Sequence, residues 1–310
     1  MKNQTVDTQI EAMVQARLDR RKFFRQAGLF GLGAAATGLA LGNAVPARAD
    51  EQESSAERAQ EWAQSKDTVT EIFTAALIAE DLATTFYYNV LVGPVIQDSN
   101  LAGKGGTATN VAASGNVGNV AYVRAALSEE IAHANLFRSL LGIPEAAKDP
   151  VQTFYFPPSV FATLSGFTGL LDALENAFVG AYLNAIQEFA TKAAYVRAHG
   201  ANHDGDHDGD DSKYSAEQLE YFAKVAASIM GIEAEHRVLG RVISNTNPAN
   251  NLCYEQTDGL NAVYNGPNSA VAALTPFLSS SSGWSAYSLA SALGNQASVS
   301  LPCTGAPPSM

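Results

Sequence analysis

The sequence has few cysteines, few basic residues and no long apolar run. Its 310 residues include two cysteines, too few for a disulfide framework or an all-cysteine zinc site. Lys and Arg number 19 against 31 Asp and Glu, and the formal charge of −12 argues against nucleic acid as a partner, because affinity for phosphates comes from cations. No stretch reaches the roughly 18 apolar residues of a transmembrane helix, so we expect no stable membrane insertion of the mature protein. Apolar residues still make up 46% of the chain, enough for a large core.

The first 49 residues have the pattern of an export signal. A basic stretch with two adjacent arginines, Arg20 and Arg21, precedes a Gly/Ala/Leu-rich run, and an Ala-Arg-Ala sequence ends at Ala49. The adjacent arginines ahead of this run resemble a twin-arginine signal. We therefore predict that residues 1–49 are removed and that the mature protein is exported, to a periplasmic or extracellular location.

Apolar residues at helical spacing predict four long helices in the mature chain. Thr68 with Glu71, and Ser215 with Gln218, have the spacing of capping boxes and predict the starts of the first and fourth helices. Gly and Pro residues end the first two helices. The predicted helices cover about 68–92, 119–141, 168–198 and 215–244, with two short ones near 268–278 and 285–293.

The segments between the helices predict how the bundle is connected. Residues 144–158 contain four prolines and are predicted to be a long crossover. Loop insertions are predicted at 93–119 and 200–214, and the Gly- and Asn-rich part at 98–119 is expected on the surface. No segment has the period-two pattern of a sheet, so we predict an all-α four-helix bundle. The predicted organisation is a signal at 1–49, a polar lead-in at 50–67, the bundle at 68–245 and a mostly irregular extension at 246–310.

Each long helix interrupts its apolar face with a carboxylate. Residues three, four or seven positions apart share a helix face, so these acids point to where the core should be. A buried carboxylate is costly unless a partner neutralises it. Two divalent metal ions would balance four glutamates, and one histidine per ion would add a neutral nitrogen ligand. The predicted metal ligands are Glu80, Glu130, His133, Glu175, Glu233 and His236.

The two halves of the predicted bundle repeat the same spacing. Tyr87 and Tyr182 each follow a predicted glutamate ligand by seven residues, and Arg138 and Arg241 each follow a predicted histidine ligand by five. This repetition favours a duplicated helix pair with two equivalent half-sites. The tyrosines are candidates for simple core packing, with their hydroxyls on a nearby acceptor. The alternative is that a hydroxyl hydrogen-bonds a ligand or protects the protein as a redox-active group.

Further acidic residues are weaker candidates. Asp172 is a candidate extra ligand or hydrogen-bond partner of one, whereas Glu129 and Glu235 are expected to point away from the core. A polar loop has the first part of a calcium-loop pattern but lacks its final Glu, so a weak cation site and a simple solvated loop are both open. The acids of that loop are Asp204, Asp206 and Asp208.

Both cysteines, Cys253 and Cys303, lie in the predicted extension. An exported compartment favours oxidation, so we predict a disulfide between them. Two unpaired thiols are the alternative.

Four short motifs carry a resemblance to a known family. The motifs are Ala79-Glu80-Asp81-Leu82, Glu130-Ile131-Ala132-His133, Leu174-Glu175-Asn176 and Gly231-Ile232-Glu233-Ala234-Glu235-His236. They resemble the exported ferritin-like proteins often called desiccation-related, and the similarity covers about residues 68–245. The resemblance implies a di-iron or di-manganese bundle linked to stress tolerance.

A carboxylate-rich di-metal site favours redox chemistry with O₂ or peroxide, or oxidation of Fe²⁺. The resemblance implies that such chemistry would serve protection against oxidative stress. The chain has no CxxC motif, hence no electron-donor module of its own, which disfavours a self-contained peroxidase. Oxidase, ferroxidase and catalase-like activities remain open. The alternative is a non-catalytic stress or surface structural protein whose metal site stabilises the bundle. A storage cage is least favoured, since the long loops would crowd a closed shell. The sequence leaves the identity of the metal and the oligomeric state open.

Overall fold

The computed structural model describes residues 67–199, 213–246, 249 and 273–303. Helix α1 packs mainly on α2, and α3 packs mainly on α4, which confirms the predicted all-α bundle. In the part of the chain described, no helix combines the length and apolarity needed to cross a membrane. The elements are α1 Val69–Val92, α2 Val117–Leu141, β1 Thr153–Phe156, α3 Leu164–His199, α4 Ala216–Ile243, β2 Ser285–Ser288 and α5 Leu289–Asn295.

Side-chain caps fix the starts of α1 and α4. Thr68 Oγ1 accepts a hydrogen bond from the Glu71 amide at 3.2 Å, and Glu71 Oε2 accepts one from the Thr68 amide at 2.8 Å. Ser215 and Gln218 exchange the same two bonds at 3.3 and 2.8 Å. These bonds satisfy amides that have no partner inside the helix, and they confirm both predicted capping boxes. Helix α3 begins at Leu164, earlier than the predicted start near residue 168.

The buried apolar residues form two clusters that follow one another along the bundle. On α1, Phe73 and Leu77 belong to the first cluster, and Leu82 and Phe86 belong to the second. Glu80 lies between these two pairs along the helix. On α4, Glu233 likewise lies between Ile229 of the first cluster and Leu239 of the second. On α2 the order is reversed, and Glu130 lies between Leu127 of the second cluster and Ala134 of the first. The clusters therefore meet where the acids are.

The Gly- and Asn-rich segment before α2 is a loop, as predicted, and residues such as Lys104, Thr107 and Asn110 are exposed. Its inner part is packed, which we did not predict: Leu101 and Ala102 are fully buried in the second cluster. The amides of Ala112 and Asn116 donate to the backbone oxygens of Ala102 and Leu101 at 2.8 and 2.6 Å. A Cβ at Gly106 would lie 2.0 Å from the Ala102 carbonyl oxygen, so glycine is needed for this close approach. The small residues of this loop therefore also allow backbone segments to pack together.

A two-stranded antiparallel sheet, absent from our prediction, joins the crossover to the extension. Strand β1 pairs with β2, and Phe154 lies opposite Tyr287. Each strand has four residues, too few for a period-two pattern to be distinctive. The short helix predicted at 285–293 is therefore β2 followed by α5, and residues 275–278 of the other predicted short helix form a 3₁₀ turn.

The residues after α5 run along α2. Arg124 donates from Nε to the Val299 carbonyl at 2.7 Å and from Nη2 to the Ser300 carbonyl at 2.9 Å. Ser128 Oγ donates to the Leu301 carbonyl at 2.7 Å. This part of the extension is thus attached to the bundle by side chains of α2.

Some predicted features lie outside the described residues. The predicted disulfide is not seen: Cys303 is an exposed free thiol, and Cys253 lies outside the described part of the chain. A disulfide requires Cα atoms within about 7 Å of each other. Neither the number of cysteines nor the compartment shows whether two cysteines lie that close. Also outside are the signal at 1–49, residues 50–66 of the lead-in, and the loop with Asp204, Asp206 and Asp208.

Candidate metal centre

Four carboxylates and two imidazoles meet between the two apolar clusters, with one acid from each long helix. Every one of the acids is at most 2% exposed. His236 is 4% exposed, and the side chain of His133 is 14% exposed. Each histidine lies one turn after an acid, on α2 or on α4. The structure thus brings together all six predicted ligands, with Glu80 from α1, Glu130 and His133 from α2, Glu175 from α3, and Glu233 and His236 from α4.

The six side chains form two overlapping groups. In each group, one ligand atom per residue lies within 4.8 Å of the others. Glu130 and Glu233 belong to both groups, so they are placed to bridge two positions. The remaining acids and histidines each serve one position. The first group is Glu80, Glu130, His133 and Glu233, and the second is Glu130, Glu175, Glu233 and His236.

The ligand atoms converge, and only some of them pair with one another. His236 Nδ1 lies within hydrogen-bond distance of Glu233 Oε2, at 3.3 Å. His133 Nδ1 lies 3.3 Å from Glu80 Oε2 and 3.5 Å from Glu233 Oε1, but makes no hydrogen bond among the described residues. Both carboxylate oxygens of Glu130 also lack a hydrogen bond within the described residues. Buried polar atoms normally have a hydrogen-bond partner. Carboxylate oxygens and an imidazole nitrogen directed at a common space are suited to a cation, so this group could bind metal ions.

Burial and mutual repulsion set the protonation of the acids in the metal-free protein. Burial raises the pKa of Glu80 well above its usual range, and the charges of Glu130 and Glu233 raise it further. Burial and then the charge of Glu233 raise the pKa of Glu175 in the same way. Burial also acts to raise the pKa of Glu130, but the two neighbouring histidines outweigh it and lower this pKa below its usual range.

The histidines are strongly basic in this environment. Burial acts to lower the pKa of His133, but the surrounding carboxylates, Glu130 first, raise it to about 12. Burial also opposes the charge on His236, whose pKa is nevertheless raised by Glu129 and Glu130. Metal binding requires neutral imidazoles and ionised carboxylates, so it would release protons from this cluster.

Two buried tyrosines connect the helix pairs across the site. Tyr87, on the helix of Glu80, donates from its hydroxyl to Glu175 Oε1 at 2.5 Å. Tyr182, on the helix of Glu175, donates from its hydroxyl to Glu80 Oε1. This reciprocal exchange gives the site an approximate two-fold relation that matches the repeated sequence spacing. The second oxygen of Glu80, Oε2, lies 3.3 Å from His133 Nδ1, whereas Glu175 Oε1 both accepts from Tyr87 and lies 4.0 Å from His236 Nδ1.

Removing either tyrosine hydroxyl should weaken metal binding. We expect Tyr87→Phe and Tyr182→Phe each to lower Mn²⁺ affinity about 10- to 100-fold, because a partner that orients a ligand is then lost. Calorimetric titration measures the affinity, and Tyr221→Phe on the exposed face of α4 is the matched control. Unchanged affinity, oxidation rate and oxidative self-damage in the double variant would show that these tyrosines only fill space.

The structure adds Glu129, which we expected to point away from the core. His236 Nε2 donates to Glu129 Oε2 at 2.8 Å, although the Glu129 side chain is 45% exposed. Because an ionised carboxylate only accepts, Nε2 carries a proton. Nδ1 is then the nitrogen that would become a metal ligand once it loses its own proton. The prediction failed because it considered the direction of Cβ from α2 and not the reach of a long side chain to α4.

The contact of Glu129 makes the two half-sites unequal. The residue before Glu130 is Glu129, whereas the residue before Glu233 is Ile232, which has no side-chain acceptor for His133. A carboxylate that orients a histidine ligand and increases its basicity strengthens metal binding. The position served by His236 should therefore bind metal more tightly.

Replacing Glu129 should weaken one of the two metal positions selectively. We expect Glu129→Ala to reduce the affinity of the tighter step of a Mn²⁺ titration by about 10- to 100-fold. Glu235→Ala, which removes an exposed carboxylate on α4, is the control and should leave both steps unchanged. Equal weakening of both steps would contradict the assigned inequality.

Asp172 is not in either group, so the structure does not place it as an extra ligand. Arg241 Nε donates to its Oδ1 at 3.0 Å, and Asn176 Nδ2 donates to its Oδ2 at 3.3 Å. The Asp172 side chain is also 37% exposed. Arg138, at the position equivalent to Arg241, pairs with Asp149 of the crossover. The repeated arginines thus connect helices to neighbouring segments outside the cluster.

The fold and this cluster define a helical bundle with an internal carboxylate–histidine group that could hold metal ions. Residues 68–204 match the model of a ferritin-like domain, and this match supports a ferritin-like fold for the bundle. The match includes α1 to α3 and ends before α4, so the placement of Glu233 and His236 in the cluster rests on the structure and not on this match. No curated protein and no solved structure matches the chain.

Proposed function

We propose that the protein binds two iron or two manganese ions and uses them in redox chemistry with O₂ or peroxide, or in the oxidation of substrate Fe²⁺, as protection against stress. The observation that carries this proposal is the membership of Glu130 and Glu233 in both ligand groups. Two carboxylates common to both groups would be available to a pair of neighbouring ions. The ligands would be Glu80, Glu130, His133, Glu175, Glu233 and His236.

The charges and donor types favour iron or manganese. Four ionised carboxylates balance the charge of two divalent ions, and neutral histidines add one nitrogen to each position. Carboxylate with imidazole is a donor set that these metals accept, whereas a site for magnesium or calcium is built from oxygen ligands. The described part of the chain places no thiol in either group, which argues against a soft-metal site.

Bound iron or manganese would supply the electron transfer with O₂, peroxide or Fe²⁺. The protein's own residues prepare the site for it. Tyr87 and Tyr182 orient two carboxylates, and Glu129 orients His236. The apolar clusters on both sides exclude bulk water, which strengthens the electrostatic interactions within the site.

We also propose that this chemistry takes place outside the cytoplasm. The support is the order of a basic stretch, an apolar run and a cleavage pattern within residues 1–49. An exported redox protein of this kind would meet peroxide and O₂ at the cell boundary.

Turnover by the purified metal-loaded protein tests the proposal. Protein loaded with iron or with manganese should consume peroxide, or oxidise added Fe²⁺, over many cycles per chain. A Glu130→Ala/Glu233→Ala variant is the control for adventitious metal, and it should be inactive. Full metal loading without turnover of peroxide or Fe²⁺ would contradict a catalytic role.

The second candidate is a non-catalytic stress or structural protein in which metal only stabilises the bundle. The observation that favours it is the nearly complete burial of all four acids, which a purely structural ion site would also show. Under this alternative, metal should raise the melting temperature without any turnover. The same two measurements therefore separate the candidates.

A further inference from the structure

We propose that Tyr287, in the extension that follows the bundle, is the residue at which a small water-soluble one-electron donor delivers electrons to the candidate metal centre. The proposal rests on the proposed redox function and names the class of donor that the reduction of peroxide needs. The four acids of the centre are at most 2% exposed, and the His133 side chain is 14% exposed. A donor of the size of ascorbate has too little access to react there directly, so its electrons have to pass through the protein.

The inner end of the route is Tyr87. Its hydroxyl donates to Glu175 Oε1 at 2.5 Å, and its ring meets the His236 ring edge-on, with the centroids 5.7 Å apart. The same ring contacts Phe86, with 5.3 Å between centroids. Tyr87 therefore touches one predicted metal ligand from α3, one from α4, and a ring that lies outside the centre.

Phe86 is connected to the extension by rings in contact. The centroids of Phe86 and Phe161 are 6.1 Å apart, and those of Phe161 and Tyr287 are 4.7 Å apart. Phe156 provides a parallel link, at 6.1 Å from Phe86 and 5.7 Å from Tyr287. Aromatic pairs in contact have centroids about 4.5–7 Å apart. We call the series Tyr87, Phe86, Phe161 and Tyr287 the aromatic path.

The chemistry of the side chains distinguishes the ends of the aromatic path from its middle. Tyrosine is one of the most easily oxidised side chains, whereas phenylalanine is not oxidised under the same conditions. The phenylalanine rings therefore serve as the medium through which the electron tunnels between the two tyrosines. Tyr287 is half-buried, so one side of it is open to solvent. The pairing of β2 with β1 holds it in place, opposite Phe154.

The equivalent tyrosine of the other half has a longer route to the surface. The ring of Tyr182 stacks on Phe137 at 6.2 Å, and Phe137 contacts Phe73 at 5.9 Å. Phe73 then contacts Phe222, which reaches the exposed Tyr221 at 6.2 Å. Three phenylalanines separate these two tyrosines, against two on the aromatic path. Because tunnelling slows steeply with distance, the route to Tyr287 is favoured.

The transfer at Tyr287 balances in electrons and protons. After peroxide has oxidised the centre, Tyr287 supplies one electron to it and releases its phenolic proton to water, which leaves a tyrosyl radical. The external donor then returns one electron and one proton to Tyr287. Two such transfers oxidise two donor molecules by one electron each and, with two protons, reduce one peroxide to two water molecules.

Trapping of the radical tests the aromatic path in the iron-loaded full chain. The protein is treated with peroxide and a nitroso spin trap, and peptide mass spectrometry locates the adduct. We expect the adduct at Tyr287 and little at Tyr122, although Tyr122 is 61% exposed. Radicals that diffuse through solvent would react first with the more exposed ring. An adduct as abundant at Tyr122 as at Tyr287, or one at Trp284 in place of Tyr287, overturns the proposal.

Two buried phenylalanines provide matched variants. Phe86→Leu removes the ring on which both links to Tyr287 depend, and it should abolish the adduct there. Phe137→Leu removes the ring beside Tyr182 and should leave the adduct as in the parent. Melting curves show whether each variant is folded. An adduct at Tyr287 that persists in folded Phe86→Leu overturns the proposal.

Tyr287→Phe tests the route independently of any change in the core. It keeps the ring and removes the oxidisable hydroxyl, so it should slow the oxidation of ascorbate by peroxide, whereas Tyr122→Phe should not. An unchanged rate in Tyr287→Phe overturns the proposal. If the loaded protein turns over peroxide or Fe²⁺ and no adduct forms at Tyr287, the aromatic path fails and the proposed function stands. If it binds metal and turns over neither, the proposed function fails, and the aromatic path fails with it.

Discussion

Replacing both Glu130 and Glu233 by alanine is expected to abolish the binding of both metal ions. Each ligand group contains these two acids, so the double substitution removes half of the ligands in both groups. The substitutions also remove two buried carboxylates, and the remaining acids then repel each other less. We therefore expect the double variant to fold without metal and to hold fewer than 0.1 ions per chain, a loss on the order of 100-fold or more in affinity for each position. Elemental analysis after gel filtration gives the number of ions.

The two acids that belong to only one ligand group, Glu80 and Glu175, provide the comparison that makes this result specific. Glu80→Ala removes a ligand from the first group only, and Glu175→Ala removes one from the second only. Each of these single variants should retain one ion per chain. Glu235→Ala is the control for loss of an acid on α4 and should retain two. Two ions per chain in the Glu130→Ala/Glu233→Ala variant would rule out the assigned ligands.

The second large effect is a metal-dependent stabilisation that increases with pH. A ligand that binds only the folded state at 100 times its Kd adds about 2.7 kcal/mol to the free energy of unfolding. For a domain of this size, that free energy corresponds to a rise in melting temperature of roughly 5–10 °C. We expect Mn²⁺ to produce a shift of this order in the parent and none in the Glu130→Ala/Glu233→Ala variant.

The pH dependence follows from the raised pKa values in the metal-free protein. Glu80 and Glu175 have raised pKa values, so the folded state holds more protons than the unfolded chain above about pH 4.3, and their contribution to stability is lost as pH rises. His133, with a folded pKa of about 12, contributes stability that is complete below about pH 6.5 and lost as pH rises toward 12. The lowered pKa of Glu130 matters only below its usual value. The metal-free protein should therefore be less stable at pH 8 than at pH 6.

The stabilisation by bound metal should instead increase with pH, because metal binding displaces fewer protons from the cluster at high pH. The gap in melting temperature between Mn²⁺-loaded and chelator-treated protein should be larger at pH 8 than at pH 6. Calorimetric melting at both values measures it. A gap that stays constant, or narrows as pH rises, would contradict proton release from the cluster.

The sequence was sufficient to predict the parts of the site that depend on helix geometry. Glu130 and His133 are three residues apart on an apolar face, so their common direction follows from 3.6 residues per turn. The capping boxes at Thr68 and Ser215 are local as well, and they fix where two of the helices begin. The sequence spacing also singled out Tyr87 and Tyr182. Each lies seven residues, about two helical turns, after a predicted glutamate ligand and so shares its helix face.

Features that depend on contacts between distant segments could not be predicted from the sequence. Glu129 reaches a histidine on another helix, and its partner is set by how α2 and α4 pack. Asp172 has the correct helical phase for a ligand, but Arg241 from α4 holds it elsewhere. The pairing of β1 with β2 joins segments more than 120 residues apart, and no local pattern in either strand indicates the other.

The hydrogen bonds from α2 to residues 299–301 have a consequence for the order of folding. They join positions 173 to 176 residues apart, whereas the bonds within each helix join positions four apart. Contacts of such high contact order form late, because the intervening chain must first be ordered. During synthesis, α1 and α2 can pack on each other well before residues 299–301 emerge. The polar side chains Arg124 and Ser128 therefore stay in water until this last described segment closes over α2, and its attachment is expected to be a late folding step.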